Sequence, residues 1–150
     1  MSVYENMEKY KLEMITDTPV GGEYVKVRQC GNLLYVSGQG PIINGIPVCT
    51  GKLGELSIEQ GQEAARICAL NILGCLHEYL GDLNKVKNII KLLAFVACTD
   101  DFNLQPQVVN EASKVFIQVF GGNGKHARSA IGTNNLPGNI PVEVEAIFEI

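Results

Sequence analysis

The chain lacks several features that would have assigned it to a common functional class. It has no tryptophan, only two histidines, and no apolar run near the roughly 20 residues that span a bilayer. His77 and His126 are not spaced as metal ligands, and neither an H-x-x-x-H motif nor a C-x-x-C pair occurs. The glycine-rich run 121–124 does not match a phosphate-loop motif, and G-x-S-x-G is absent. We therefore expect no metal, no cofactor, no membrane segment and no Ser-His-Asp hydrolase.

An excess of positive charge is also missing. The chain has 12 Lys and Arg against 16 Asp and Glu, a net charge of -4 and a sequence pI near 5.2, which disfavours nucleic acid as a partner. No signal peptide precedes the polar N-terminus, so we expect a cytoplasmic protein. The five cysteines are scattered and odd in number, as is typical of reduced thiols, and Cys68 and Cys75 are interpreted as small buried apolar residues.

The overall composition of the chain predicts one folded domain spanning residues 1–150. Hydrophobic residues make up 46% and charged residues 19% of the chain, and no linker or repeat divides it. Residues 1–18 are predicted to form an arm or short helix before the Pro19–Gly22 break. Period-two alternation predicts a hairpin of strands 24–30 and 33–37, followed over 42–56 by a loop with room for short strand pieces. A capping box of Ser57 and Gln60 then begins a helix that continues to Leu80.

The second half of the chain alternates strands with one more helix. Residues 86–98 are apolar on both alternating faces, which favours a strand covered on both sides over a buried helix. A helix over 106–120 and strands near 127–132 and 142–150 follow. The order β-β-α-β-α-β-β predicts an α+β fold with two helices on one face of a mixed sheet. Because the other face of strand 86–98 is still apolar, we expect a partner subunit to cover it.

Two charged positions near the C-terminus are candidate functional residues. Arg128 begins a short strand, while Glu143 and Glu145 share a face of the last strand with Ile147. From spacing alone, Arg128 is more simply explained as a solvent-exposed ion-pair partner, and the carboxylates as surface positions.

The C-terminal third resembles the signature of the RidA family, also called YjgF/L-PSP. In that signature an A-R-S segment precedes L-P and then an E-x-E-A-I strand. The similarity extends over nearly the whole chain, and the segments that carry it are A-R-S at 127–129, L-P at 136–137, E-x-E-A-I at 143–147, S-G-Q at 37–39, V-N at 109–110 and G-E-Y at 22–24. The longer N-terminus and the sequence of the first long helix resemble a less studied branch of the family.

This resemblance implies a chorismate-mutase-like homotrimer with clefts between subunits. It also implies hydrolysis of reactive enamine or imine intermediates, such as 2-iminobutanoate or 2-iminopropanoate, to 2-oxo acids and ammonia, without metal or cofactor. At the matching positions Arg128 would clamp the substrate carboxylate and Glu143 would activate water. The substrate-binding surface would further include Tyr24, Gly38, Asn110 and Ala130.

Two departures from the family pattern bear on substrate preference. Glu23 stands where the family has proline, and Ala130 where it often has cysteine. The former adds a negative charge near the expected cleft and the latter removes a thiol. An alternative function is a non-catalytic trimer that binds small carboxylates and reports their level to a partner. Endoribonuclease activity is a further alternative, which the acidic charge balance disfavours.

Overall fold

A computed structural model describes all residues from 1 to 150 and has one mixed sheet with helices packed on one face. The helices are α1 (Val3–Lys9), α2 (Ile58–Leu80) and α3 (Gln105–Phe120). The strands are β1 (Val27–Cys30), β2 (Leu33–Gln39), β3 (Ile42–Ile43), β4 (Ile46–Pro47), β5 (Asn88–Ala97), β6 (Ala127–Thr133) and β7 (Val142–Glu149). Short 3-10 turns occupy Leu83–Lys85, Gly121–Gly124 and Pro137–Asn139. The α+β order predicted from the sequence is confirmed, although β1 begins at Val27 and not at residue 24.

The sheet has the strand order β1-β2-β7-β5-β6, which places β7 at its centre. Strands β5 and β6 are parallel and are joined by a crossover through α3, whereas the other neighbours are antiparallel. Strands β3 and β4 form a separate small hairpin in the segment predicted as a loop. The strand assignment of residues 86–98 is confirmed, since β5 covers Asn88–Ala97 and pairs on both sides.

Helix α2 begins and ends as its sequence predicts. The Ser57 side chain accepts from the Gln60 backbone, Gln60 bonds back to the Ser57 backbone, and Gly81 ends the helix in the left-handed conformation. Cys68 and Cys75 are buried in this helix, as the sequence suggested. Burial raises the pKa of the Cys68 thiol well above its ordinary value and that of Cys75 to about 11, so neither is a reactive thiolate.

The N-terminal segment is ordered and covers the side of α2 that faces away from the sheet. A capping box of Ser2 and Glu5 begins α1, which buries Val3 and Met7 against the core. The chain then runs across α2, where Ile15 N donates to the carbonyl of Leu70 at 3.1 Å. The middle of α2, residues 67–76, is consequently buried on every side among the sheet, α3 and this N-terminal arm, here defined as residues 11–22.

The opposite face of the sheet is uncovered in a single chain. The strand register aligns the residues of this open face in rows across the strands. The apolar members are Tyr35, Leu93, Phe95, Ile131 and Ile147, and the charged members are Arg28, Lys91, Glu143 and Glu145. A depression of about 390 Å³ lies on this face among Tyr35, Leu93 and Ile147. The sequence prediction that β5 is apolar on both faces therefore holds, and helices cover only one of them.

None of the three helices is both long enough and apolar enough to traverse a membrane.

Candidate functional site

Glu143 lies on the open face of the sheet, directly above a glycine of the neighbouring strand. Strand β7 alternates buried residues with half-buried or exposed ones, so Val142 and Val144 face the helices and Glu143 faces away from them. Strand β2 has an irregular register between Val36 and Gln39, and Gly38 lies in that irregular part. A Cβ on Gly38 would lie 2.8 Å from Glu143 Oε2, so only glycine leaves room for the carboxylate.

A pocket of about 300 Å³ opens beside Glu143 and Gly38 at the margin of the sheet. Its walls come from the N-terminal arm, the loop after β2 and the turn before β7, and Tyr24 and Ile140 also contribute. Tyr24 is 51% exposed at the rim, and its hydroxyl accepts from Gly21 N at 3.3 Å. Glu23 is exposed and does not line this pocket.

The Glu143 carboxylate is half-buried and has no hydrogen-bond or ion-pair partner within the chain. Burial raises its pKa, and the nearby negative charge of Glu145 raises it further. The only cation that lines the pocket is Lys26, whose Nζ is 2.7 Å from Glu78 Oε2 and is therefore already paired. This pocket thus offers a proton acceptor with a raised pKa but no free cation for an anionic ligand.

The pocket wall is held in place by Asn71 of α2, a residue that belongs to none of the sequence motifs described above. Asn71 is 1% exposed and is one of two buried polar residues in the chain. Its Nδ2 donates to the carbonyls of Gly40 at 3.2 Å and Ile42 at 2.9 Å, and its Oδ1 accepts from Thr18 Oγ1 at 2.6 Å. One side chain therefore fixes both the loop after Gly38 and the N-terminal arm to the helix. A lone asparagine within an apolar helical stretch is the only sequence signal that pointed to it.

Arg128 lies on the other side of the sheet, at its β6 edge. It pairs with the buried Leu92 of β5, so its side chain points toward the helices. Its Nη1 donates to Asn110 Oδ1 at 2.9 Å and to Ser113 Oγ at 3.2 Å, both on α3. The structure therefore brings Arg128 and Asn110 together. Ala130 follows on the same side of β6.

The guanidinium of Arg128 has no carboxylate partner. Lys26, Arg66 and Lys114 form the salt bridges of the chain, and Arg128 is in none of them. It is half-buried, and burial lowers its pKa. Its Nε and Nη2 atoms have no hydrogen-bond partner, so one edge of the planar group is free to bind a planar anion. The interpretation of Arg128 as a surface ion-pair partner is wrong for the single chain.

The predicted site residues fall into two groups within one chain. Tyr24, Gly38 and Glu143 surround one pocket, whereas Arg128 and Asn110 lie together near α3. Because Glu143 pairs with Phe95 and Arg128 pairs with Leu92, the two charged residues lie on opposite faces of the sheet. We call these groups the Glu143 half-site and the Arg128 half-site.

No cluster of histidine, cysteine and carboxylate side chains that could hold a metal ion is found at either half-site or elsewhere in the structure.

Fold and half-sites together define a small α+β domain with polar clefts at the margin of its sheet. The family model described as Endoribonuclease L-PSP matches residues 15–150. The chain is 38% identical to Protein TCP17 of Trypanosoma cruzi, over 99% of this chain and 94% of that protein. The chain belongs to this family, which is also called YjgF/L-PSP or RidA.

Solved structures agree with this assignment. The Agrobacterium tumefaciens protein Atu1372, of unknown function, is 39% identical and superimposes with a TM-score of 0.90, covering 99% of this chain and 91% of that one. Escherichia coli TdcF with bound serine is 23% identical and has a TM-score of 0.63, covering 92% of this chain and 98% of that one. The second likeness establishes the shared fold only.

Proposed function

We propose that the protein hydrolyses reactive 2-imino acids, or their enamine tautomers, to 2-oxo acids and ammonia. The observation that carries this proposal is the complementarity of the two half-sites. One offers a free carboxylate with a raised pKa and no free cation, and the other offers an unpaired guanidinium and no carboxylate. A 2-imino acid needs both, because it carries a carboxylate beside a carbon that water must attack.

We further propose that the two half-sites meet between copies of this chain in a homotrimer. Within one chain Arg128 and Glu143 are separated by the sheet, so a complete site requires a second copy. The open face supplies a suitable surface, since it exposes Tyr35 and Ile131 at 46% each beside half-buried Leu93 and Phe95. Arg28 and Glu145 on this face have no ion-pair partner within the chain, which leaves charges for cross-subunit pairing.

In the assembled cleft Arg128 binds the substrate carboxylate through Nε and Nη2, in two parallel charge-assisted hydrogen bonds. Glu143 accepts a proton from water as the water oxygen attacks the imine carbon, and it then passes this proton to the imine nitrogen, which leaves Glu143 ionised again. The resulting carbinolamine loses ammonia when its C–N bond breaks. Its hydroxyl proton returns to the departing nitrogen through Glu143, and the carbonyl of the 2-oxo acid forms. One water is consumed and one ammonia released, with no change of oxidation state.

The raised pKa of Glu143 suits this role, because a carboxylate that both accepts and returns a proton works best when its pKa approaches the working pH. The reaction has a modest barrier, since such imines also hydrolyse in water, so positioning and charge complementarity supply the required acceleration. The bound serine of TdcF, a small molecule with a carboxylate and a nitrogen on the adjacent carbon, agrees with this ligand class.

The test is ammonia release from freshly generated 2-iminopropanoate, measured against the buffer rate. We expect Arg128→Ala to lose about 100-fold or more in kcat/KM, because two charge-assisted hydrogen bonds disappear. Arg128→Lys keeps the positive charge but cannot donate two parallel hydrogen bonds, so it should recover only part of this loss. Arg66→Ala is the matched control, since Arg66 forms only an exposed ion pair with Glu63. Wild-type protein that does not exceed the buffer rate on any of several imino acids contradicts the proposal.

The same half-sites would also serve a non-catalytic protein that binds small carboxylates. Calorimetric titration with 2-oxobutanoate and with serine separates the two functions, because a sensor binds without accelerating imine hydrolysis. The endoribonuclease named in the family description needs its own assay. RNA cleavage that survives in both Arg128→Ala and Glu143→Gln would come from a contaminant or from another surface.

A further inference from the structure

We propose that Ser113 and His126 form a hydrogen-bonded relay that fixes the Arg128 guanidinium in the orientation needed to bind a carboxylate. This inference rests on the proposed function and assigns two positioning residues to it. The relay begins at the Gly124 carbonyl in the turn before β6. It continues through the His126 imidazole ring and the Ser113 hydroxyl on α3 to Arg128. Each of its contacts lies within hydrogen-bond distance.

The direction of every hydrogen bond in the relay follows from chemistry. His126 Nδ1 is 2.7 Å from the carbonyl oxygen of Gly124, which can only accept, so Nδ1 carries a proton. In the neutral ring Nε2 is then an acceptor, and the Ser113 hydroxyl, 2.9 Å away, donates to it. The Ser113 oxygen is left to accept from Arg128 Nη1 at 3.2 Å.

This polarity makes Ser113 a specific acceptor for the arginine. Arg128 Nη1 has two protons, and Asn110 Oδ1 and Ser113 Oγ take one each. With Nη1 fully occupied, the guanidinium plane is fixed by two acceptors on α3. The Nε and Nη2 edge is therefore presented away from the helix as the edge that binds the ligand.

The imidazole itself is held on several sides. Its ring meets Phe116 edge to face with centroids 6.2 Å apart, so a side chain of α3 packs against the imidazole. The turn that supplies the Gly124 carbonyl packs directly on the backbone of α3, where a Cβ on Gly124 would overlap the carbonyl oxygen of Phe116. The ring consequently has little freedom to rotate, and its tautomer is set by the carbonyl of Gly124, the one buried residue of this turn.

Neutral histidine is the form this arrangement requires. Burial of the ring lowers the pKa of His126, and the neighbouring positive charge of Arg128 lowers it further, while the bond to Gly124 acts in the opposite direction. A protonated ring would direct an N–H at Ser113 and compete with Arg128 for the hydroxyl oxygen.

The experiment measures 2-oxobutanoate binding by calorimetry in the full-length protein and in four variants. Ser113→Ala removes one of the two acceptors that hold Nη1 and should weaken binding about tenfold, because the ligand then has to order the freed arginine side chain. His126→Ala removes the acceptor that orients the Ser113 hydroxyl and should weaken 2-oxobutanoate binding about threefold. Ser113→Thr keeps the hydroxyl and His126→Gln keeps an acceptor, so both should bind within about twofold of wild type. Thermal unfolding of each variant measures any general destabilisation.

NMR supplies a readout that does not depend on turnover. In wild type the His126 nitrogen shifts should report the Nδ1–H tautomer, and Ser113→Ala should move the Arg128 Nε–H resonance without ligand. Binding and resonances unchanged in Ser113→Ala and His126→Ala overturn the relay even if Arg128 remains essential. Wild-type protein that neither binds 2-oxobutanoate nor accelerates imine hydrolysis overturns the proposed function instead. The tautomer and the Arg128 resonance then still decide whether the relay exists.

Discussion

Replacing Asn71 with alanine removes the single side chain that joins the N-terminal arm, the pocket loop and helix α2. The carbonyls of Gly40 and Ile42 lose their donor, and the Thr18 hydroxyl loses its acceptor. Its contact to Ile67 O adds little, because that carbonyl also belongs to the helix ladder.

The size of the effect follows from these losses. A buried polar group left without a partner costs about 1–3 kcal/mol, and two loop carbonyls are affected. Water that enters the space left by the side chain, and the better helix propensity of alanine, by about 0.5 kcal/mol, offset part of this. We expect a net loss of about 2–4 kcal/mol in the free energy of unfolding. For a chain of this size this corresponds to a fall in Tm of about 5–15 °C.

Urea and thermal unfolding at one fixed protein concentration measure this loss, since assembly would make Tm depend on concentration. Asn103→Ala is the matched control, because Asn103 is exposed in a loop and makes no hydrogen bond; it should change stability by less than about 0.5 kcal/mol. If Asn71→Ala unfolds within 2 °C of the control, as a rough threshold, the side chain does not hold the pocket wall, and our account of it is wrong.

Three further predictions concern the cleft and the arm. Gly38→Ala should lower kcat about tenfold or more, because the new methyl group displaces the Glu143 carboxylate, while the circular dichroism spectrum stays unchanged. Gly74→Ala should expose the N-terminal arm to limited proteolysis, since a Cβ there overlaps the carbonyl oxygen of Ile15 on the arm; resistance equal to wild type would argue against this packing. Glu143→Gln should stabilise the fold at pH 7. Because the pKa of Glu143 is raised in the folded state, its protonated form stabilises the fold; this stabilisation is fully present below the pKa of an unfolded glutamate, about 4.3, and is lost as pH rises through the pKa in the folded state. The stability advantage of Glu143→Gln over wild type should therefore disappear below about pH 4.

The sequence predicted the elements of the fold because local signals and global packing agree. The capping box at Ser57, the left-handed glycine after α2 and the alternation in β7 each depend on near neighbours, and each is present as predicted. Strand β5 was predictable from its two apolar faces, one of which now packs under helices. These patterns depend on the periodic spacing of apolar residues and on near neighbours in the chain, both of which can be read from a single sequence.

The site was predictable only in part, because its geometry depends on contacts between distant segments. The resemblance implied that Arg128, Glu143, Asn110 and Gly38 line one cleft, whereas within one chain Arg128 contacts Asn110 and Glu143 lies beside Gly38 as two separate pairs. Spacing gave no indication that the two pairs lie on opposite faces of the sheet, since that depends on the pairing of β5 with both neighbours. The roles of Asn71 and Ser113 were missed for the same reason: their partners lie in segments that only the tertiary fold brings together.

The position of β7 has a consequence for biosynthesis. This strand, the last of the seven in chain order, lies at the centre of the sheet, between β2 and β5. While it is still inside the ribosome, the β1–β2 hairpin and the β5–β6 pair have no strand to join them, and their edges stay open to other chains. The sheet therefore closes only after translation has passed residue 149, and until then the unpaired edges of β2 and β5 are the surfaces most exposed to pairing with other chains.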